Sequence, residues 1–414
     1  MITYKIRDLF YLETGFAFKS KDFTDTGIPV LKIKNVKANS IPLHNLSYVE
    51  KNFIKTKKDK LARKGDILIT MSGNRYDGTK ETWVGKVAEF KHEGLYFINQ
   101  RVGALRVKPT AEIDISCCSY FLSSEGFQNR FIAIATSSGG QANLSPEQIL
   151  NEIILLPYIT NQKAIASVLG ALDDKIDNNY RMNETLEEMA RAIFKSWFVD
   201  FDPVHAKADG NAPAHMDADT AAIFPNSFGN DSLPTGWAVK KIEDVMELAY
   251  GKALRASDRK LGEIPVYGSG GITGSHNEAL VEGPSVIVGR KGTVGSLFWE
   301  DRSFFPIDTT FYIKPKISLV FCYYLLQTLK LNNMNTDAAV PGLNRNNVYR
   351  LEFIMPSQSC LLEFQKIIGL MHEKIRSNSY EIRTLTELRD NLLPKLMSGK
   401  ICVKDAEREM GAAL

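Results

Sequence analysis

The chain lacks the short motifs that mark many nucleotide-dependent and metal-dependent enzymes. Its 414 residues contain no GxxxxGK[ST] run, which excludes a P-loop for ATP, and no Asn-Pro-Pro-aromatic run of the kind expected in an adenine-methylating loop. HExxH and the Cys/His spacings of zinc sites are also missing, so no metal site is predicted. The glycine-rich stretch 268–274 runs into a polar turn rather than a helix, which does not fit a dinucleotide loop. These absences favour a chain that is not itself an enzyme.

Disulfide-forming and membrane-spanning features are scarce as well. The five cysteines are odd in number and form no CxxC pair, which indicates a reducing compartment. No run of about 18 apolar residues occurs, so no membrane span is predicted. The N-terminus, with Lys5, Arg7 and Asp8, lacks the apolar stretch of a signal peptide. We therefore expect a cytoplasmic protein.

Charge is nearly balanced overall but unevenly distributed. The formal net charge is +3, whereas residues 1–157 carry +6 (22 basic − 16 acidic) and residues 200–235 carry −5 (1 − 6). Basic globular segments suit an anionic partner such as nucleic acid. Residues 200–235 are rich in proline and aspartate, which is typical of a linker.

A long segment of the sequence occurs twice without a gap. Leu144 recurs as Leu343 and Lys175 as Lys374, which is an offset of 199 (343 − 144). Upstream, Gly15 recurs as Gly251 at an offset of 236 (251 − 15), so the first copy carries extra residues between the two matched regions. The chain is therefore interpreted as a tandem duplication.

Both copies carry an apolar stripe with alternating steps of four and three residues, the a/d pattern of a coiled coil. The predicted seam residues are Ile165, Leu169, Leu172, Ile176, Asn179, Leu186, Ile368, Met371, Ile375, Asn378, Ile382 and Leu385. A polar residue at such a position fixes register and partner number. Either the two helices bury each other, or each packs on its own globular domain. Residues 160–198 would span about 58 Å as one helix, which favours a spacer.

The remaining sequence predicts two β-rich globules. Short runs of β-branched and aromatic residues, such as 66–70 and 285–288, alternate with glycine-rich and proline-rich turns. The predicted fold is α+β, with two β-rich domains in a pseudo-two-fold arrangement separated by an antiparallel pair of long helices. The predicted boundaries are 1–157 and 236–356 for the globules, 158–199 and 357–414 for the helices, the latter including the C-terminal tail, and 200–235 for the linker.

Two polar loops between paired strands are the sharpest candidates for binding. Arginine, lysine and asparagine side chains read base edges in a DNA major groove, and basic side chains also bind phosphates. The candidate DNA-binding residues are Lys32, Lys34, Ser72, Asn74, Arg75, Tyr76, Lys80, Ser269, His276, Arg290, Lys291 and Thr293. Solvated hairpin tips remain the alternative reading of the same residues.

Four stretches of the sequence are distinctive: residues 264–271, 289–295, 186–203 and 393–401, of which the third is the most specific. In these stretches the chain resembles a known family, the specificity subunits of type I restriction-modification systems. The resemblance covers essentially the whole chain and agrees with the duplicated layout.

The resemblance implies a function and a set of partners. Each globule is expected to be a target-recognition domain that reads one half of a split target in double-stranded DNA, and the paired helices are expected to hold the domains a fixed distance apart. Two methyltransferase subunits and restriction or motor subunits are the implied protein partners. S-adenosylmethionine, ATP and Mg²⁺ would belong to those partners, and this chain is expected to need no cofactor and to carry no catalytic residues.

Two rival functions remain open from the residues alone. One is a single-chain DNA-binding nuclease with a structural helical hairpin, and the other is a coiled coil that binds only protein. The aromatic residues Phe194, Trp197, Phe198 and Phe201 at the end of the first long helix are a candidate partner interface, with packing against the tail around Ile401 as the alternative.

Overall fold

The computed structural model describes residues 1–43, 45–77, 82–138, 140–334 and 342–411. The chain forms two compact units. Unit 1 comprises Met1–Asn178 and Glu381–Leu414, and unit 2 comprises Asn179–Tyr380. Two helices of 40 residues each, α6 (Ile159–Phe198) and α12 (Gln358–Met397), pass from one unit into the other near their middles.

Unit 1 is a β-rich globule with short helices and the ends of both long helices. Its strands are β1 (Ile2–Lys5), β2 (Phe10–Thr14), β3 (Phe23–Thr24), β4 (Ile28–Leu31), β5 (Ser47–Val49), β6 (Ile67–Thr70), β7 (Ser72–Gly73), β8 (Val87–Glu89), β9 (Phe97–Ile98), β10 (Val102–Val107), β11 (Thr136–Ser138), β12 (Gln141–Asn143) and β13 (Ile153–Leu156). Its shorter helices are α1 (Ile6–Leu9), α2 (Ile54–Lys57), α3 (Ile115–Ser123), α4 (Glu125–Ile134) and α5 (Pro146–Asn151).

The main sheet of unit 1 has an apolar cluster on each face. The main sheet has the order β2-β10-β6-β8 and a second sheet has the order β3-β5-β4-β9. Alternate residues of β6 point to opposite faces. Ile67 and Ile69 pack with α3 and the long helices, whereas Leu68 packs with Leu31 and Phe90 on the other side.

Unit 2 repeats this architecture in a smaller form. Its strands are β14 (Ala238–Lys241), β15 (Met246–Tyr250), β16 (Ile264–Gly268), β17 (Gly271–His276), β18 (Ser285–Gly289), β19 (Leu297–Glu300), β20 (Phe305–Pro306), β21 (Thr310–Pro315) and β22 (Glu352–Met355). Its shorter helices are α7 (Asp202–Ala208), α8 (Ala218–Ala222), α9 (Ile242–Val245), α10 (Leu319–Thr328) and α11 (Arg345–Tyr349), and α13 (Val403–Gly411) follows α12 in unit 1. The main sheet has the order β15-β21-β18-β19.

Equivalent backbone hydrogen bonds establish the duplication residue by residue. The amide of Phe16 donates to the carbonyl of Ile98 (2.8 Å), and that of Lys252 donates to Pro306 (3.0 Å). Just after β6 and β18, the amide of Leu144 donates to the carbonyl of Met71 and the amide of Leu343 donates to the carbonyl of Arg290, both at 2.8 Å. The same hydrogen bonds at matched positions mean that Met71 and Arg290 occupy the same place in the two units.

In each unit the long helices pack against each other in antiparallel fashion. In unit 1 the start of α6 buries Leu169 and Leu172 against Leu385 and Leu392 from the end of α12. The seam positions Ile165, Ile176 and Ile382 belong to the same core. The prediction of an α+β fold with a pair of long antiparallel helices is confirmed.

Unit 2 holds the polar part of the seam. Asn179 and Asn378 are both buried, and the Asn378 side-chain amide donates to the Asn183 side-chain oxygen (2.8 Å). Ile368 is fully buried in the unit 2 core and Met371 packs against that core. The remaining seam positions, Leu186 and Ile375, are half-buried.

Residues 200–235 are largely ordered against unit 2. Val204 and Phe224 are buried in its core, and Lys207 Nζ donates to the carbonyl of Ala221 (2.9 Å). His205 stacks on Phe228 with ring centroids 4.5 Å apart. Although the segment is rich in aspartate, its apolar residues pack into the unit 2 core and hold it in place.

Candidate nucleic-acid interface

Strands β15 and β18 of unit 2 end, and strand β21 between them begins, at the same edge of the main sheet. Tyr250 at the end of β15 lies opposite Phe311, and Gly289 at the end of β18 lies opposite Thr310. The turn after β18 therefore emerges beside the end of β15. Loops at such an edge are held by the rigid sheet behind them, which is how binding side chains are commonly positioned.

The chain crosses this edge at a glycine in each unit. A Cβ on Gly251 would lie 2.2 Å from the carbonyl oxygen of Ile307, and a Cβ on Gly15 would lie 2.2 Å from that of Asn99. Only glycine allows backbone segments to approach this closely. The repeated glycine found in the sequence thus marks the sheet edge where the two candidate interfaces lie.

Two arginine side chains flank one exposed aromatic ring at this edge. The guanidinium carbons of Arg290 and Arg345 each lie 4.9 Å from the centroid of the Tyr250 ring. Tyr250 is 47% exposed. Arg290 Nη1 also donates to the carbonyl of Asp308 (2.9 Å), which fixes the direction of its side chain. We call Tyr250, Arg290 and Arg345 the arginine–tyrosine cluster.

The arginine–tyrosine cluster is cationic and suits a ligand that is anionic or rich in hydrogen-bond acceptors. Within the described parts of the chain, neither Arg290 nor Arg345 forms an ion pair with a carboxylate. A guanidinium held on an aromatic ring keeps its outer N–H groups directed outward, where they fit guanine edges or phosphates in bidentate geometry. The cluster therefore has the chemistry of a DNA contact.

The other candidates of unit 2 fall into two groups. Lys291 and Thr293 are exposed on the same turn as Arg290, and the Ser269 hydroxyl donates to the carbonyl of Lys291 and so braces that turn. His276 is only 6% exposed, and its Nδ1 accepts a hydrogen bond from the amide of Lys260 (3.0 Å). The prediction that His276 contacts DNA is therefore corrected: its side chain is buried and holds the backbone at Lys260.

In unit 1 the predicted loop is only partly described. Tyr76 is 58% exposed and packs edge-on against Trp83, with ring centroids 5.2 Å apart. Arg75 donates to the carbonyl of Ala135, and Asn74 donates to the hydroxyl of Thr82 (3.0 Å). These contacts hold the described part of the loop, residues 72–77, against the globule.

Two further candidates of the same stretch, Ser72 and Lys80, are not available as observed surface contacts. Ser72 is buried and donates to the side-chain oxygen of Asn143 (2.7 Å), which corrects its assignment as a DNA contact. Lys80 lies outside the described residues.

Lys32 and Lys34 differ although they are close in sequence. Lys34 is exposed. Lys32 Nζ donates to the Ser47 hydroxyl (2.9 Å) and lies 3.7 Å from the centroid of the Phe23 ring. Burial lowers the pKa of Lys32, and the nearby Lys34 charge lowers it further. Lys32 is thus a structural lysine, whereas Lys34 remains a candidate phosphate contact.

The aromatic residues predicted as a partner interface are core residues. Phe194, Trp197 and Phe198 are 3–6% exposed and pack around Phe364, with ring centroids 5.1–6.1 Å apart. Phe201 packs on Trp237 at the edge of the same cluster (5.7 Å). These side chains bury one another in unit 2, which corrects both the expected partner contact and the alternative of packing on Ile401, because Ile401 packs against the unit 1 core instead.

Tyr250 and Arg345 were missed by sequence reasoning. Tyr250 directly precedes the duplicated Gly251, which is the signal that could have found it. Arg345 is the first residue of α11, just after the cap Asn344, and nothing in the local pattern links it to Tyr250. Arg345 lies close to Tyr250 because α11 begins beside the edge of the main sheet where β15 ends.

Polar side chains also join each globule to the long helices. In unit 1 the Tyr120 hydroxyl of α3 donates to Asp173 (2.5 Å), which also accepts from Arg389 (2.8 Å). In unit 2 the Tyr324 hydroxyl of α10 lies 3.0 Å from both Glu187 Oε2 and His372 Nε2. Burial raises the pKa values of Tyr120 and Tyr324, and the neighbouring carboxylates Asp173 and Glu187 raise them further.

His372 gives unit 2 a predictable pH response. Burial lowers its pKa, although the Glu187 and Asp301 charges oppose the shift, and its ring packs on Trp299 (4.4 Å) and Tyr324. The unfolded chain, with a His pKa of about 6.5, therefore binds the proton more readily than the folded chain. We expect the unfolding free energy of unit 2 to fall as the pH drops below about 6.5.

The pH prediction is checked by urea unfolding between pH 5 and 8, compared for the wild type and His372→Gln. The variant is expected to lose part of the pH dependence, because only the difference between the two proteins isolates His372 from other titrating groups. Identical pH dependence in both proteins would show that this histidine does not contribute.

Comparisons with known proteins identify the family. The model of the type I restriction modification DNA specificity domain matches residues 1–188 and 234–373, which is most of the chain. The chain belongs to this family. The prediction of a type I restriction-modification specificity subunit is thereby confirmed.

Individual relatives are similar at moderate identity. The chain is 28% identical over 345 residues to the Type I restriction enzyme HindI specificity subunit of Haemophilus influenzae, covering 66% of this chain and 74% of the relative. It is 26% identical over 283 residues to the MjaIX specificity subunit of Methanocaldococcus jannaschii, covering 60% of this chain and 61% of the relative. The fold is similar to the crystal structure of a type I S subunit from M. genitalium, with a TM-score of 0.51, 20% identity and 95% of both chains covered.

Neither a membrane span nor a metal site is found in the part of the chain that the structure describes. None of its helices combines the length and hydrophobicity needed to cross a bilayer. No group of three or more His, Cys, Asp or Glu side chains is arranged to hold a metal ion there.

Proposed function

We propose that the chain reads a two-part DNA target, with one half recognised by each unit, and that it carries no catalysis itself. The observation that supports this most strongly is the repeated sheet edge with different side chains in the two units. Tyr250, Arg290 and Arg345 in unit 2 correspond to Thr14, Met71 and Pro146 in unit 1. The same scaffold with different side chains at this edge suits two different half-sites.

The helices and the duplication support the rest of the proposal. Both 40-residue helices run without a break from one unit into the other, so their length is suited to set the gap between the half-sites. A duplicated chain presents two similar surfaces, which suits two copies of one partner. We propose that two methyltransferase subunits bind along the helical regions and that restriction subunits join them.

The arginine–tyrosine cluster provides the test. Arg290→Ala and Arg345→Ala are each expected to weaken binding of the specific target by about 1–3 kcal/mol if the arginine pairs with a base, and to relax one half-site only. The measurement is the affinity of the assembled methyltransferase complex for its own target and for targets altered in either half.

The matched control is Arg350→Ala, because Arg350 is an exposed arginine just after α11, at the other end of that helix from Arg345. It is expected to bind both halves as the wild type does. Equal loss on target and random DNA for the cluster variants would make the arginines phosphate contacts, and unchanged binding would remove the cluster from the interface.

A further inference from the structure

Unit 1 contains a lysine-rich segment with no counterpart in unit 2. Residues 51–64 hold seven lysines and arginines against one aspartate. Strand pairing equates Val30 with Val266 (offset 236) and Ile69 with Val288 (offset 219). Unit 1 therefore has 17 additional residues (236 − 219) between these strands, and the lysine-rich segment lies among them.

The segment is held firmly on the globule. Phe53 packs against Phe18, with ring centroids 5.2 Å apart. The buried Arg106 donates to the carbonyl of Leu61 (2.7 Å) and pairs with the buried Asp66 (3.2 Å). Breaking a buried pair of this kind is costly, so the anchor keeps the chain on either side of it in a fixed position.

The lysines border the sheet edge that carries the arginine–tyrosine cluster in unit 2. Lys57 Nζ lies 4.7 Å from the ring centroid of Phe16, and Phe16 occupies the position of the exposed Lys252. Lys60 pairs with Glu13, next to Thr14, which stands where unit 2 has Tyr250. The segment thus supplies positive charge on the side of unit 1 where the cluster itself is missing.

The outer lysines are available to a ligand. Lys51, Lys55 and Lys58 are exposed, and none of them pairs with a carboxylate in the described portion of the chain. Three unpaired ammonium groups on one short segment complement the closely spaced phosphates of a duplex. Lysine acts as a point charge and does not have the fork geometry that reads a base.

We propose that unit 1 grips the DNA backbone through residues 51–64, whereas unit 2 contacts DNA through its arginine–tyrosine cluster. This inference rests on the proposed DNA-reading function and adds that the two units contact DNA in different ways. Unit 1 contributes sequence-independent, salt-sensitive affinity that unit 2 does not match.

The test measures the affinity of the full chain for a random-sequence duplex at several salt concentrations. K51Q/K55Q/K58Q is expected to reduce the slope of log affinity against log salt by up to about 2.7, which is roughly 0.9 per lost phosphate contact. K51R/K55R/K58R keeps the charge and is expected to retain the wild-type slope.

The matched control is K5Q/K108Q/K163Q, which removes the same charge from unit 1 at other places. Lys5 is the last residue of β1, Lys108 directly follows β10, and Lys163 lies in the first turns of α6. This variant is expected to keep the wild-type slope.

The outcomes separate this inference from the proposed function. A wild-type slope of log affinity against log salt in K51Q/K55Q/K58Q would overturn only the proposed backbone contact of residues 51–64. The same result is expected if the segment binds an acidic protein instead of DNA. Absence of DNA binding by the wild type, both as the free chain and with its methyltransferase partner, would overturn the proposed function as well.

Discussion

Arg389→Met is expected to destabilise unit 1 by about 3–5 kcal/mol, because it removes one partner of a buried ion pair. Arg389 and Asp173 are 7% and 8% exposed, and Asp173 also accepts the Tyr120 hydroxyl. Without the guanidinium, the Asp173 carboxylate remains in the helix interface with no cation. The globule and both long helices meet at this point, so the whole of unit 1 is affected.

The loss is measured by calorimetry and by the fluorescence of Trp83, the one tryptophan of unit 1 among the four in the chain. Arg383→Met is the matched control, because Arg383 is an exposed arginine of the same helix with an ion pair to Glu387 at 4.0 Å. Exposed pairs of this kind contribute about 0–1 kcal/mol. Equal effects of the two variants would show that the buried pair does not stabilise unit 1.

Trp197→Ala is expected to destabilise unit 2 by about 3–5 kcal/mol, the usual cost of removing a buried tryptophan. Trp197 is 6% exposed and contacts the rings of Phe224 (4.9 Å) and Phe364 (6.1 Å). The variant therefore lowers the unfolding temperature of unit 2 in the isolated chain, before any partner is added.

Tyr180→Ala on the same helix is the control, because Tyr180 is 57% exposed and its removal is expected to change stability by less than about 0.5 kcal/mol. If Trp197→Ala kept wild-type stability yet failed to assemble with a methyltransferase subunit, the aromatic cluster would be an interface after all.

The long helices and the duplication could be predicted from sequence because their signals are local and repeated. The four-three spacing indicated two long helices, observed as α6 and α12, and the gapless offset of 199 placed them in equivalent positions. Strands such as β6 and β18 followed from short β-branched runs between turns.

The candidate interface was harder to predict because its contacts join distant residues. Tyr250 and Arg345 are 95 positions apart (345 − 250), and only the sheet brings them together. His276 and Ser72 looked like loop residues, yet both are buried by long-range packing that no local pattern reports. Phe194 and Trp197 looked like an exposed aromatic surface because their partners Phe321 and Phe364 lie far along the chain.

The proposed division of the DNA target between the two units is tested most directly by mapping methylated bases in the genome of a host that carries this chain and the proposed methyltransferase partner. The wild type is predicted to direct methylation to a target of two defined parts separated by bases of any identity. The double variant Arg290→Ala, Arg345→Ala is predicted to relax one part and leave the other intact. A single uninterrupted target, or equal relaxation of both parts, would contradict the assignment of one half-site to each unit.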